Sequence, residues 1–218
     1  MVLDMRRRRV TFRALEPACE ALLAGGVVAA PTESFYGLMA LADREAALER
    51  ILSLKRARDT EDPFLLLVDG RERVRAYALE IPPEAERLMD RFWPGLLTVL
   101  FKAQTGLLPA ILGRKKNTVG LRLDRSPVPG ALVRMTDRAV TGTSANPSGK
   151  PPAADAATVL EYFGDGVDCL IDAGPTKGLK PSTVVDISKS PFSVVREGAV
   201  AGAAVARALK DPGTSGGA

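Results

Sequence analysis

Five short clusters of hydroxyl, amide and cationic side chains hold the residues of this chain that could do chemistry. They are PTES at 31–34, LKRAR at 54–58, NTVGLR at 117–122, TGTSANPSGK at 141–150 and KPSTVVD at 180–186. The chain has no histidine, which excludes Ser-His and Cys-His nucleophilic systems and histidine-based metal sites. Any bound metal would need oxygen ligands, as Mg²⁺ and Ca²⁺ do. Together the clusters indicate a cleft for a nucleotide phosphate and a small polar acid.

The first cluster follows a short apolar stretch that predicts a buried strand, Val27–Ala30. Pro31 cannot donate a hydrogen bond to a sheet, so the strand is expected to end there. Thr32, Glu33 and Ser34 then lie at the carboxyl end of the strand, where ligands bind in open α/β sheets. The alternative interpretation is an ordinary strand-to-helix turn capped by a hydroxyl.

The other clusters are weak signals when each is taken alone. The cations at 55–58 end a predicted helix, where positive charge also complements the helix dipole. Arg122 lies two residues beyond Gly120 on a predicted strand. The stretch 141–150 resembles a phosphate loop, but the spacing from Gly142 to Gly149-Lys150 is not that of a Walker motif and Pro151 follows it.

Alternating helices and strands predict an α/β fold. The predicted helices are Glu16–Ala24 (with Pro17 in its first turn), Arg44–Lys55, Arg71–Leu79, Pro83–Phe92, Val128–Met135 and Ala154–Tyr162. The predicted strands are Val27–Ala30, Phe64–Val68, Leu97–Phe101, Val119–Leu123, Ala139–Thr143, Cys169–Ile171, Thr183–Ile187 and Ser193–Arg196. The last two strands lie close together in the sequence, which favours a mixed sheet over a purely parallel one.

Composition predicts one cytoplasmic domain. The domain is expected over residues 10–200, between a basic segment at 1–9 and a disordered tail at 211–218. Arg6–Arg9 is either an RNA contact or a solvated terminus. Cys19 and Cys169 lack the spacing of a metal site and are expected to be reduced thiols. Since no apolar run has the length of a membrane span, no membrane contact is expected.

Four motifs, in their order and spacing, resemble the YrdC/TsaC family of threonylcarbamoyl-AMP synthases. They are PTESFYGL at 31–38, the Lys/Arg cluster at 55–58, SANPSG at 144–149 and STVVD at 182–186. The resemblance extends from about Leu15 to Gly198. It implies a twisted mixed parallel/antiparallel sheet with helices on its faces and an open concave surface. It also implies synthesis of threonylcarbamoyl-AMP and pyrophosphate from L-threonine, bicarbonate and ATP, the first step of tRNA N6-threonylcarbamoyladenosine formation.

The same resemblance assigns roles to particular residues. It implies that threonine contacts Thr32, Arg122 and Ser182, and that ATP contacts Lys55, Arg58, Thr118, Ser144, Asn146 and Arg196. Lys55 and Arg58 would be the catalytic cations. It further implies Mg²⁺ bound with ATP rather than a metal site in the protein, contact with tRNA or double-stranded RNA, and a downstream tRNA threonylcarbamoyl transferase complex as partner.

Departures from the family pattern leave two alternatives open. The family reads Lys-x-Arg where this chain has KRAR at 55–58, so its lysine position is taken either by Lys55, with one inserted residue, or by Arg56. Lys55 is favoured because a leucine precedes it. Asp62 reverses the charge often found before the following proline, and Thr143 replaces a common proline. These features resemble the YciO-like branch, so the alternative is a YciO-like paralogue or an RNA-binding module of the same fold.

Overall fold

Two β-sheets with helices packed against them form the fold seen in the computed structural model, which describes residues 1–55, 63–112, 117–177 and 180–210. The strands in these ranges are β1 (Val2–Asp4), β2 (Val28–Pro31), β3 (Tyr36–Met39), β4 (Leu65–Val68), β5 (Leu97–Lys102), β6 (Thr118–Leu123), β7 (Val140–Thr141), β8 (Thr143–Ser144), β9 (Cys169–Asp172), β10 (Thr183–Asp186) and β11 (Ser193–Arg196). The helices are α1 (Phe12–Leu23), α2 (Glu45–Leu54), α3 (Arg71–Val74), α4 (Pro83–Phe92), α5 (Pro109–Leu112), α6 (Pro127–Thr136), α7 (Ala156–Phe163) and α8 (Gly202–Lys210).

Both sheets are mixed, which confirms the predicted α/β class. One sheet has the strand order β1-β9-β2-β3-β8 and the other β11-β10-β5-β6-β4-β7. In the first, β9 is parallel to β1 and β2, whereas β2 is antiparallel to β3. In the second, β4 is parallel to β6 and β5 is antiparallel to it. Buried apolar side chains from the strands and helices form the core.

Gly142 separates β7 from β8, and therefore lies where the chain passes from one sheet to the other. A Cβ added at this position would lie 2.7 Å from the side chain of Leu67. The close approach of the backbone to β4 therefore requires a residue with no side chain. Ser144, at the end of β8, is held opposite Gly37 of β3.

The amino-terminal region differs from the prediction in two ways. Val2–Asp4, part of the segment interpreted only as basic, is an edge strand paired with β9. The first helix begins at Phe12, not at Glu16, because the Thr11 hydroxyl accepts a hydrogen bond from the Ala14 N–H at 3.2 Å. Pro17 is therefore inside the helix and not in its first turn.

Other differences concern strands and helices that are stabilised by distant parts of the chain. The prediction had no strand at Tyr36–Met39 and no helix at Gly202–Lys210, and it extended α3 to Leu79. Strand β3 pairs with β2 as a hairpin, and α8 packs against α4. None of the described helices has the length and apolarity needed to cross a membrane.

Candidate active site

A cavity of about 370 Å³ lies between residues contributed by both sheets. Six of the predicted site residues are on its wall, and they come from separate parts of the sequence: Thr32, Lys55, Arg122, Ser144, Ser182 and Arg196. The fold brings them together because β2 and β6 end, and β10 begins, near the same place. The cavity is therefore the candidate active site.

The turn after β2 contributes hydroxyl groups. The hydroxyl of Thr32 donates to the Phe35 carbonyl at 2.8 Å and accepts the Ser34 N–H at 3.3 Å. The prediction that the strand ends at Pro31 is confirmed. The turn leads into β3, so it is a hairpin turn and the strand-to-helix alternative is wrong.

A buried cation, Arg122, lies near the carboxyl end of β6 and on the cavity wall. Its guanidinium donates to Asp124, and the two side chains are 3% and 1% exposed, respectively. The other carboxylate oxygen of Asp124 accepts the N–H groups of Glu33 and Ser126 at 3.0 and 2.9 Å. Asp124 was missed in the sequence analysis, although its position two residues after Arg122 places both on one face of an extended chain.

Ser182 is held by three neighbours. Its hydroxyl lies 2.8 Å from the hydroxyl of Thr98, and the guanidinium of Arg196 donates to its carbonyl at 3.0 Å. A Cβ added at Gly198 would collide with the Pro181 carbonyl, so the segment after β11 can pack against Ser182 only with glycine there. Thr98 is a second site residue that the sequence analysis missed.

Lys55 immediately follows α2, and its side chain reaches the end of β8 and the loop after it. Its Nζ donates to the carbonyls of Ser144 at 2.6 Å and Asn146 at 3.0 Å, while its own carbonyl accepts the Ser148 N–H at 2.8 Å. The hydroxyl of Ser144 donates to Asn146 Oδ1 at 2.6 Å. Burial lowers the pKa of Lys55 from 10.5 to about 8.

The lowered pKa of Lys55 predicts that nucleotide binding weakens in alkali. The ammonium is charged below pH 8 and loses its proton as the pH rises through that value. If a phosphate binds only the charged form, the Kd of ATP should rise above pH 8 by about tenfold per pH unit. Calorimetric titration between pH 7 and 9.5 would measure this slope. The Lys55→Arg variant, whose cation does not titrate there, should show no such slope.

A slope that is equally steep in Lys55→Arg would contradict the assignment of the titration to Lys55. Folding responds to the same proton. Because the unfolded chain holds the proton at Lys55 more tightly than the folded protein does, stability should rise between pH 8 and 10.5 through this residue.

Two predicted ATP residues within the described ranges, Thr118 and Asn146, are not on the cavity wall. Thr118 begins β6, at the other end of the strand from Arg122, and in the described part of the chain its buried hydroxyl has no hydrogen-bond partner. Asn146 is partly exposed, and its Nδ2 donates to the Lys150 carbonyl at 2.7 Å. Arg58 lies outside the described residues, as does Arg56.

The remaining wall is mostly apolar and includes Phe35, Tyr36, Leu52, Phe64, Leu65 and Pro152. The Tyr36 hydroxyl donates to the Gly174 carbonyl at 2.7 Å, which ties β3 to the segment after β9. Among the described wall residues there are three cations, Lys55, Arg122 and Arg196, and no carboxylate. This composition favours an anionic ligand with an apolar part.

A family model is matched by residues 20–198: the Sua5/YciO/YrdC model, described as "Telomere recombination". The chain belongs to this family. The resemblance to YrdC/TsaC proteins that the motifs indicated is thereby confirmed.

Relatives within the Sua5/YciO/YrdC family carry a named activity. The threonylcarbamoyl-AMP synthase of Pyrococcus abyssi is 34% identical over 192 residues, which are 88% of this chain and 56% of that protein. The threonylcarbamoyl-AMP synthase of Marinobacter nauticus is 33% identical over 177 residues, which are 81% of this chain and 93% of that protein. This chain therefore spans little more than half of the first relative and nearly all of the second.

Solved structures of family members share the fold. P. abyssi Sua5 complexed with L-threonine has a TM-score of 0.90 and 31% identity, over 96% of this chain and 61% of that one. E. coli YciO has a TM-score of 0.83 and 27% identity, over 91% of this chain and 95% of that one. The fold is thus common to both branches that the sequence resembles.

Proposed function

We propose that this protein is a threonylcarbamoyl-AMP synthase, which joins L-threonine, bicarbonate and ATP and releases pyrophosphate. One observation carries the proposal: a single cavity combines a buried guanidinium and hydroxyls at one place with a lysine and a hydroxyl-rich loop at another. The first set suits an amino acid with a hydroxyl, and the second suits a nucleotide phosphate. Relatives named threonylcarbamoyl-AMP synthase support it.

The threonine subsite in this proposal uses Arg122, Thr32 and Ser182. Arg122 can present two parallel N–H groups to a carboxylate. The hydroxyls of Thr32 and Ser182 each keep an acceptor or donor for the threonine hydroxyl or amine. A Sua5 structure complexed with L-threonine supports this class of ligand.

The ATP subsite uses the cations and the loop after β8. Lys55, Arg58, Ser144 and Arg196 would contact the phosphates, with Asn146 holding Lys55 and Ser144 in place and Thr118 at the edge of the subsite. In the reaction, bicarbonate takes up a proton and loses water to give CO₂, and the neutral threonine amine adds to CO₂ and releases a proton to solvent, which gives a carbamate. A carbamate oxygen then bonds to the α-phosphorus as the bond to pyrophosphate breaks.

This displacement depends on positioning and on cations near the phosphates more than on a protein nucleophile. The absence of histidine is therefore compatible with it. Mg²⁺ is expected with ATP, and its chemistry is neutralisation of phosphate charge. The described residues contain no group of three or more His, Cys, Asp or Glu side chains that could hold a metal ion, so Mg²⁺ would be held mainly by phosphate oxygens. The Ser144 hydroxyl on the cavity wall could add one ligand.

Pyrophosphate release tests the proposed reaction. Purified protein with Mg²⁺ and ATP should release pyrophosphate when L-threonine and bicarbonate are both present, and little when either is omitted. No release with the complete mixture would contradict the synthase. Binding of RNA with a steep salt dependence would then favour the RNA-binding module, and its absence the YciO-like paralogue.

The cavity should discriminate against valine, which replaces the threonine hydroxyl by a methyl group. Valine would leave buried hydroxyls without partners, so we expect kcat/KM to fall by about a hundredfold or more. Serine, which lacks only a methyl group, should be a poorer but real substrate. The measurement is pyrophosphate release with each amino acid, and equal turnover of valine would contradict the roles of Thr32 and Ser182.

The product would serve a tRNA-modifying step in the cytoplasm. A mixed anhydride of a carbamate and AMP is reactive, so a transferase that accepts the threonylcarbamoyl group is the expected partner. The basic segment at Arg6–Arg9 is the expected place for contact with tRNA or double-stranded RNA. Within that segment, the Arg6 side chain is paired with Asp4 at 2.6 Å.

A further inference from the structure

A buried carboxylate, Asp124, connects three elements at the cavity. One oxygen accepts from the Arg122 guanidinium on β6. The other accepts the N–H of Glu33, in the β2–β3 turn, and the N–H of Ser126, immediately before α6. The turn belongs to one sheet and Arg122 to the other. One side chain therefore links the cation to the turn that carries Thr32.

This linkage restricts how Arg122 and Thr32 lie relative to each other. A guanidinium presents its N–H groups in a rigid plane, so holding one end sets the direction of the others. Asp124 also anchors the residue next to Thr32 through the backbone. An amino acid that is bound by both groups must match the distance between them. The carboxylate of the amino acid would meet Arg122, and its side-chain hydroxyl would meet Thr32.

We infer that Asp124 is a positioning residue for amino-acid recognition, and that it acts through Arg122. This rests on the proposed function, in which Arg122 binds the threonine carboxylate. Among the described residues, the cavity wall includes Arg122 but not Asp124. Because Asp124 also neutralises the guanidinium, the selectivity of the subsite depends on orientation more than on net charge.

The Asp124→Asn variant isolates this role. The amide oxygen can still accept from the Glu33 and Ser126 N–H groups, but the amide nitrogen facing Arg122 repels the guanidinium. We expect the Kd of threonine, measured by calorimetry without ATP, to rise by about ten- to a hundredfold. The preference for threonine over valine should shrink by about tenfold or more, because the two anchoring groups no longer keep their distance. The Kd of ATP should change by less than about twofold.

Asp168→Asn is the matched control. Asp168 also accepts a backbone N–H, from Val27 at 2.7 Å, and an arginine, Arg50, at 2.7 Å. It lies at the opposite end of β2, away from the cavity. Asp168→Asn should leave the Kd of threonine, the Kd of ATP and the preference for threonine over valine unchanged. Equal losses of threonine and ATP affinity in Asp124→Asn, or an unchanged preference for threonine, would overturn the inference.

A second pair of variants gives a result even if Asp124→Asn fails to fold. Arg122→Gln and Arg122→Gln/Asp124→Asn are compared, and the double variant buries no unpaired charge. If Asp124 acts through Arg122, adding Asp124→Asn to Arg122→Gln should alter the Kd of threonine by less than about twofold. A further large loss would overturn the inference. If the wild type binds no threonine, the proposed function itself fails. If the wild type binds threonine and Asp124→Asn binds it equally well, only the positioning role fails.

Discussion

Replacing Lys55 by alanine is expected to slow pyrophosphate release about a hundredfold, which corresponds to about 3 kcal/mol in the barrier. The ammonium lies on the cavity wall and is held by the carbonyls of Ser144 and Asn146. The ammonium is therefore held in one position on the wall, next to the place where negative charge would develop on the phosphates. The measurement is the rate of pyrophosphate release at saturating ATP, threonine and bicarbonate.

Lys102→Ala is the control for the loss of a lysine at the surface. Lys102 is exposed and lies 3.5 Å from Glu80, so its loss should change stability by less than about 1 kcal/mol and leave the rate unchanged. Arg56→Ala tests the alternative in which Arg56 occupies the family's lysine position. A near-wild-type Lys55→Ala together with an inactive Arg56→Ala would show that this alternative is correct.

Replacing Arg122 by glutamine is expected to affect both binding and stability. The Kd of threonine should rise by about a hundredfold, because a hydrogen-bonded buried cation is worth on the order of 3 kcal/mol to its anionic partner. Asp124 would lose its charged partner while remaining buried, which should lower the free energy of unfolding by about 3 to 5 kcal/mol. Calorimetry and urea unfolding measure the two effects.

The matched control for Arg122 is Arg50→Gln. Arg50 pairs with Asp168 at 2.7 Å, but these side chains are 39% and 38% exposed. Water can solvate either charge, so the free energy of unfolding should fall by less than about 1 kcal/mol. An Arg122→Gln variant as stable as Arg50→Gln, with unchanged threonine affinity, would contradict the account of the buried pair.

Local sequence patterns predicted many of the helices and strands. The helix Pro83–Phe92 and the strand Ser193–Arg196 are observed with the predicted bounds. In the helix, a proline at the first position and an apolar stripe are sufficient signals. Hydroxyls that follow or precede predicted strands, at Thr32 and Ser182, were a usable signal of the cavity.

Features that depend on distant contacts were not predictable from local patterns. Tyr36–Met39 is a strand because it pairs with β2 across a turn. The polar residues of that turn do not form a recognisable hairpin-turn motif. Val2–Asp4 is only three residues long and is a strand because β9 is beside it. The chain passes from one sheet to the other at Gly142, where its backbone lies close to Leu67, a residue 75 positions earlier in the sequence. Thr98 is recognisable as a site residue only once β5 and Ser182 are known to be neighbours.

The chemical identity of the product distinguishes a threonylcarbamoyl-AMP synthase from an enzyme that only cleaves ATP. Protein incubated with ¹³C-labelled bicarbonate, L-threonine, Mg²⁺ and ATP is quenched and analysed by mass spectrometry. We expect an adenylate whose mass includes both threonine and one labelled carbon, formed in proportion to pyrophosphate. Pyrophosphate or AMP formed without a labelled threonine adduct of AMP would contradict it.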